Sequence, residues 1–153
     1  MKYFKFIYLS TFCCLISILS FFNIIYSYYL NLYLNLNTYI WTFFVSLLFA
    51  FIFYYSKTNE EKKISIYEKI ITILFGYFFL PLIISIPFYF SIYNLTFINS
   101  YFEAISGFTS TGFSIFDNIK HIDQSLIIWR SSSQWVGGLY FIFSIILLID
   151  IFD

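Results

Sequence analysis

The sequence predicts an all-α membrane protein with four transmembrane helices plus one re-entrant pore helix and its loop. Three observations carry that prediction. First, 61% of the 153 residues are hydrophobic and 10% are charged, with a mean hydropathy of +0.84; a soluble domain carries about a quarter charged residues. Second, several apolar runs reach the length of about 20 residues that a bilayer core requires. Third, the stretch from Asn99 to Gly138 holds a short apolar segment that ends in Thr109, Ser110, Thr111 and Gly112, and then an apolar segment long enough to cross. Irregular backbone at membrane depth survives where it lines a watery cavity, so this order reads as a helix that enters, stops and returns.

Lys2 and Lys5 precede an apolar run from about Phe6 to Tyr29. A signal peptide has a shorter apolar core and a small-residue cleavage site, so the run is read as a retained first span. Cys13 and Cys14 lie inside it and are expected to be buried thiols acting as small apolar residues. Asn31, Asn35 and Asn37 mark an uncharged turn, and Tyr39 to Tyr55 forms the return helix with aromatic residues at both ends. The charge-dense stretch from Lys57 to Lys63 comes next as a solvated loop. Lys2, Lys5, Lys57, Lys62, Lys63 and Lys69 thus share one side, while the Asn-rich turn has no Lys or Arg. The positive-inside rule therefore places the N-terminus and this loop in the cytoplasm.

A third span is expected from about Ile66 or Ile70 to Tyr93, with Pro81 and Pro87 inside it. Each proline removes a backbone donor and bends the helix, or ends it near Pro87. Ser100 and Glu103 stand at capping-box spacing, so the short helix is expected to begin at Ser100 and to stop by Phe108, after about two to three turns. From Ile115 to Gln124 the chain is polar again, with Asp117, Asn118, Lys120, His121 and Asp123, fitting a return to the outer surface. Leu126 to Ile149 is the fourth span, running inward.

The chemistry of the loop is that of a cation site. A dehydrating ion needs protein oxygens in place of its water, and backbone carbonyls supply them. Gly112 can take a positive φ and so aim carbonyls where other residues would clash. The hydroxyls of Thr109, Ser110 and Thr111 can brace the loop or face the ion, and the short helix turns its negative C-terminal end toward the site. Arg130, inside an apolar helix, needs a partner or a watery cavity. Glu103 is the carboxylate of the short helix and the expected partner, with loop carbonyls or lipid headgroups as alternatives. Gln134, Gly137 and Gly138 share a helix face with Arg130, and the glycines permit close helix packing or act as a hinge.

The run Phe102-Glu103-Ala104-Ile105-Ser106-Gly107-Phe108-Thr109-Ser110-Thr111-Gly112 resembles the first pore loop of the Trk/Ktr/HKT potassium transporter superfamily, whose TrkH-like subunits read FEA-x-SG-x-TTTG there. Arg130, Gln134, Trp135, Gly137 and Gly138 resemble the R-x-x-x-QW-x-GG signature of the following helix. The resemblance implies a fold of four such repeats around one pore, preceded by an extra helix pair. It assigns residues 1–56 to that N-terminal pair, 57–63 to a cytoplasmic loop and 64–153 to the first helix–pore-loop–helix repeat. It further implies that Thr109, Ser110, Thr111 and Gly112 form the potassium filter loop, with Glu103, Arg130, Gln134, Gly137 and Gly138 in support. Ser110 stands where the family has its middle threonine, so Ser110→Thr is expected to be neutral.

The resemblance implies potassium transport by the N-terminal portion of a TrkH-like subunit in the bacterial inner membrane, as a multi-pass protein with a cytoplasmic N-terminus. It implies the remaining three pore-loop repeats, in cis or in trans, and a cytoplasmic nucleotide-binding regulatory subunit as partners. Potassium is then the transported ion, and no cofactor is expected. The alternative is a truncated or non-conducting membrane protein that retains one repeat. One repeat provides a single segment of the oxygen ring, so the chain is expected not to conduct alone. No Ser/His/Asp set, catalytic carboxylate pair or metal-ligand spacing argues for an enzyme, and the balanced net charge argues against nucleic acid.

Overall fold

The computed structural model describes residues 7–56, 66–91, 93–116 and 122–149. The lysines at 2, 5, 57, 62 and 63, the charged loop, and Asp117, Asn118, Lys120 and His121 lie outside the described residues. Among the described residues six α-helices occur in order: α1 Ile7–Tyr29, α2 Leu36–Tyr55, α3 Ile66–Ile84, α4 Ile86–Tyr89, α5 Phe97–Phe108 and α6 Gln124–Ile149, with one 3₁₀ turn at Tyr33–Asn35. Among the described residues four stretches are long and apolar enough to cross a membrane: Tyr8–Tyr29, Tyr33–Tyr55, Ile66–Tyr89 and Gln124–Ile149.

α1 and α2 form a hairpin along a seam of small residues. Ser10, Ser17, Ser20 and Ser27 on α1 are buried, as are Thr38, Thr42, Ser46 and Ala50 on α2. Small side chains let two backbones approach closely where lipid supplies no hydrophobic drive between helices. Two of the hydroxyls bridge the seam: Ser10 donates to the Ala50 carbonyl and Ser20 to the Tyr39 carbonyl, each at 2.8 Å. The opposite faces carry exposed Phe22, Ile25, Trp41, Phe44 and Phe51. Cys13 is buried as expected, whereas Cys14 is exposed, because neighbours in a helix point about 100° apart.

The third span is not one helix to Tyr93. It continues through Pro81, breaks at Ser85 and resumes in α4, with Pro87 in the first turn, to end at Tyr89. Pro87 has no N–H to continue the ladder, and a first-turn position is where that loss costs least. The break is put to use: the Trp129 indole N–H donates to the Ile84 carbonyl at 3.0 Å.

Tyr140 of α6 stands at the centre of the helix assembly. Its ring meets Phe12 of α1, Tyr77 of α3 and Phe108 of α5 with centroids 4.8, 5.1 and 5.6 Å away. Its hydroxyl reaches the carbonyls of Thr72 and Ile73 at 3.3 and 3.1 Å. A second, polar junction ties the hairpin to the start of α6. Asp123 accepts from the Asn35 amide at 2.7 Å and from the Ser125 hydroxyl at 2.8 Å, and Ser125 accepts from Tyr39 at 2.9 Å. The Asp123 N–H in turn donates to the Tyr93 hydroxyl at 2.8 Å.

Candidate functional site

α5 begins one turn before the capping box predicts. Thr96 is the N-cap, accepting from the Asn99 N–H at 3.3 Å, and Ser100 is buried within the helix. Glu103 is therefore in the helix interior, where its carboxylate is wholly buried and turned to other work. Twelve residues give α5 a length of about 18 Å, well short of a hydrocarbon core about 30 Å thick.

The helix stops by local geometry. The Thr111 N–H donates to the Ser106 carbonyl at 3.1 Å and the Ser110 N–H to the Gly107 carbonyl at 2.9 Å, while Ser110 has a φ of +57°. That is a Schellman motif with serine at the left-handed position, which glycine usually occupies. The hydroxyls tighten it. Thr109 donates to the Ile105 carbonyl at 2.7 Å, and Thr111 Oγ1 lies 3.1 Å from Ser106 Oγ and 3.2 Å from the Ser106 carbonyl. Gly112 comes next with a φ of +80°, and Ser106 Oγ donates to the Phe113 carbonyl at 2.6 Å.

Two buried charges then hold the returning strand of chain. Glu103 Oε1 accepts from the Ser114 hydroxyl and from the Ile115 N–H, both at 2.6 Å. Glu103 Oε2 lies 3.4 Å from Arg130 Nε, a charge contact rather than a hydrogen bond. Arg130 Nη2 donates to the carbonyls of Gly112 and Phe113 at 3.2 and 2.9 Å. The Glu103 carboxylate and the loop carbonyls, alternative partners for Arg130 on sequence grounds, are thus engaged at once. Residues 112–115 are clipped from one side by α5 and from the other by α6. The carbonyls of Thr109, Ser110 and Thr111 accept no hydrogen bond from the described residues, and Thr109 to Phe113 are exposed.

Glycines set the approach of α6. A Cβ on Gly137 would fall on the Phe108 carbonyl, and one on Gly107 would fall on the Ser133 hydroxyl. The two helices therefore touch where α5 ends. Ser133 itself donates to the Arg130 carbonyl at 2.7 Å. Gln134 is half-buried and makes no hydrogen bond to the loop, so the structure does not bring it into the clamp. Sequence reasoning missed Ser106, Ser114 and Asp123. Ser106 did carry a signal, since it stands beside Gly107 just before the hydroxyl-rich turn. The local bonds of Ser114 to Phe116 and of Asp123 to Ser125 are ordinary turn and helix-start contacts, whereas the bonds to Glu103 and to Asn35 and Tyr93 come from other elements and leave no mark in the local sequence.

These features define a multi-pass helical membrane protein whose last described span is locked onto a short buried-carboxylate helix and its loop. Its curated homologues are Trk system potassium uptake proteins and a cation transporter. Identity is 27% over 109 residues to an uncharacterized cation transporter of Methanocaldococcus jannaschii, covering 71% of this chain and 23% of that one. The Trk system potassium uptake protein TrkH of Salmonella typhimurium is 28% identical over 99 residues, or 64% of this chain and 20% of its own. TrkG of Escherichia coli is 39% identical over 46 residues, or 30% and 10%. The matched segments thus span less than a quarter of these relatives' lengths. No family model matches the chain, and no solved structure matches it.

Proposed function

We propose that this chain supplies one pore-loop repeat of a potassium-translocating membrane protein. In this reading α5 is a re-entrant pore helix and residues Thr109, Ser110, Thr111 and Gly112 are its filter loop, with potassium as cargo. Residues 1–56 are the N-terminal helix pair, 57–63 a cytoplasmic loop and 64–153 the repeat. The observation that carries it is the clamped loop. Thr109, Ser110 and Thr111 are exposed at the negative end of a short helix, and their carbonyls accept no hydrogen bond from the described residues. Glu103 and Arg130 hold residues 112–115 beside them, and free carbonyls on a braced loop are the ligands a dehydrated cation needs. The names of the relatives, potassium uptake and cation transport, support the choice of cargo.

The chain is placed in a bacterial inner membrane with its N-terminus in the cytoplasm, and the charge bias of the sequence supports that orientation. The remaining three repeats, in cis or in trans, complete the oxygen ring, because a lone loop would leave its carbonyls facing lipid at several kcal/mol each. A cytoplasmic nucleotide-binding subunit regulates the assembly. The protein performs transport and is not an enzyme.

The test is Gly112→Ser in a complete transporter that carries this loop. Nothing stands within 4 Å of an added Cβ, so the change acts on the backbone and not on packing. Discrimination between potassium and sodium in uptake should fall. Unchanged selectivity would remove the loop from the ion path.

A further inference from the structure

Five buried side-chain atoms have no hydrogen-bond partner among the described residues. Two of them, Glu103 Oε2 and Arg130 Nε, face each other as the charge contact of the clamp. The other three all belong to α1: both amide atoms of Asn23, and the Ser27 hydroxyl oxygen. Asn23 is 2% exposed and Ser27 0%, so neither reaches the outside of the molecule. A buried polar group without a partner is unfavourable anywhere and most of all within a membrane, so such a cluster calls for a ligand.

The level of the two residues is fixed by their neighbours. Ser20 of α1 donates to the Tyr39 carbonyl, and the Tyr39 hydroxyl donates to Ser125. Asn23 and Ser27, about one and two turns farther along α1, therefore stand level with the junction of Asn35, Tyr39, Ser125 and Asp123 that fastens the hairpin to α6. Four residues apart, they share a helix face with Cβ atoms about 5–6 Å from each other. Two hydrogen bonds of about 2.8 Å meeting at one oxygen span about that distance. The chemistry of the open groups selects the ligand. Asn23 offers a donor and an acceptor side by side, so a bare cation would meet the amide N–H and an anion the amide oxygen. Water both donates and accepts, and a buried water typically makes about three hydrogen bonds.

We infer that Asn23 and Ser27 hold a single buried water molecule, a hydration site built into the joint where α1 meets the polar junction of the hairpin and α6. The inference is independent of the pore-loop reading, because neither residue belongs to the loop.

The experiment is a crystal structure of the full chain grown in lipid, at a resolution that shows ordered water, for the unaltered sequence and for Asn23→Leu. Density for one water within hydrogen-bond distance of both the Asn23 amide and the Ser27 hydroxyl is expected in the unaltered chain, and its loss in Asn23→Leu. An Asn23 amide bonded directly to Ser27 or to another side chain, with no water between, overturns the inference. A water held by only one of the two residues overturns it as well. Unfolding in detergent gives a second readout. Removing either side chain releases a shared water, so the changes in unfolding equilibrium constant for Asn23→Leu and Ser27→Ala should fail to multiply in the double variant, by at least about twofold. Multiplication within that margin means that the two residues share nothing, and overturns the inference.

Discussion

Arg130 and Glu103 are costly residues to place in an apolar setting, and each is placed so that its cost is shared. The carboxylate spends one oxygen on Ser114 and Ile115 and the other on the guanidinium, which adds two loop carbonyls of its own. Removing one member of a buried pair leaves an uncompensated charge, typically about 3–5 kcal/mol of destabilisation. Glu103→Gln and Arg130→Gln are both expected to lower the melting temperature of the purified chain in detergent. Arg130→Gln should be at least as severe, since it also frees two carbonyls. The double variant should recover part of the sum, with a coupling of about 0.5–3 kcal/mol. Strict additivity would show that the two side chains act independently.

At the scale of elements, the end of α5 decides where the loop goes. The Schellman turn uses Ser110 at a φ of +57°, a region that costs a side-chain-bearing residue about 1–2 kcal/mol and a β-branched one more. Resemblance alone makes Ser110→Thr neutral; the backbone makes it unfavourable. Ser110→Thr should destabilise the folded chain by about 1 kcal/mol, and Ser110→Gly should be neutral or stabilising. Thermal unfolding of the two variants side by side measures the difference, and equal melting points would mean that position 110 does not hold the left-handed conformation.

For the whole molecule, the hairpin of α1 and α2 is fastened to α6 through Asn35, Tyr39, Ser125 and Asp123, whose partners stand up to 88 residues apart. In the proposed topology that junction and the loop are reached from the outside, and residues 57–63 from the cytoplasm. With Cys13 and Cys14 replaced, a cysteine at Leu34, exposed beside the buried Asn35, and one near Asp117 should react with an impermeant reagent applied outside intact cells, and one near Glu60 should not. Outside labelling at Glu60 would invert the orientation and the pore-loop reading with it.

The sequence by itself determined the four spans to within a few residues at most ends. Apolar length against bilayer thickness is a local property that needs no partner. It also placed the end of the short helix at Phe108, because hydroxyl residues followed by glycine favour a turn over further helix. What only the tertiary structure decided is how far-apart groups are shared. By spacing alone Glu103 is free to cap a helix at Ser100, but a carboxylate bound to Ser114, Ile115 and Arg130 cannot also serve that N-terminus, and Thr96 takes the role. Pro87 left open whether the third span bends or ends, and the break at Ser85, with Trp129 reaching the Ile84 carbonyl, resolves it. Gly137 and Gly138 are indistinguishable as letters. One touches backbone and the other faces open space, because helix rotation against α5 depends on the packing of every neighbour at once.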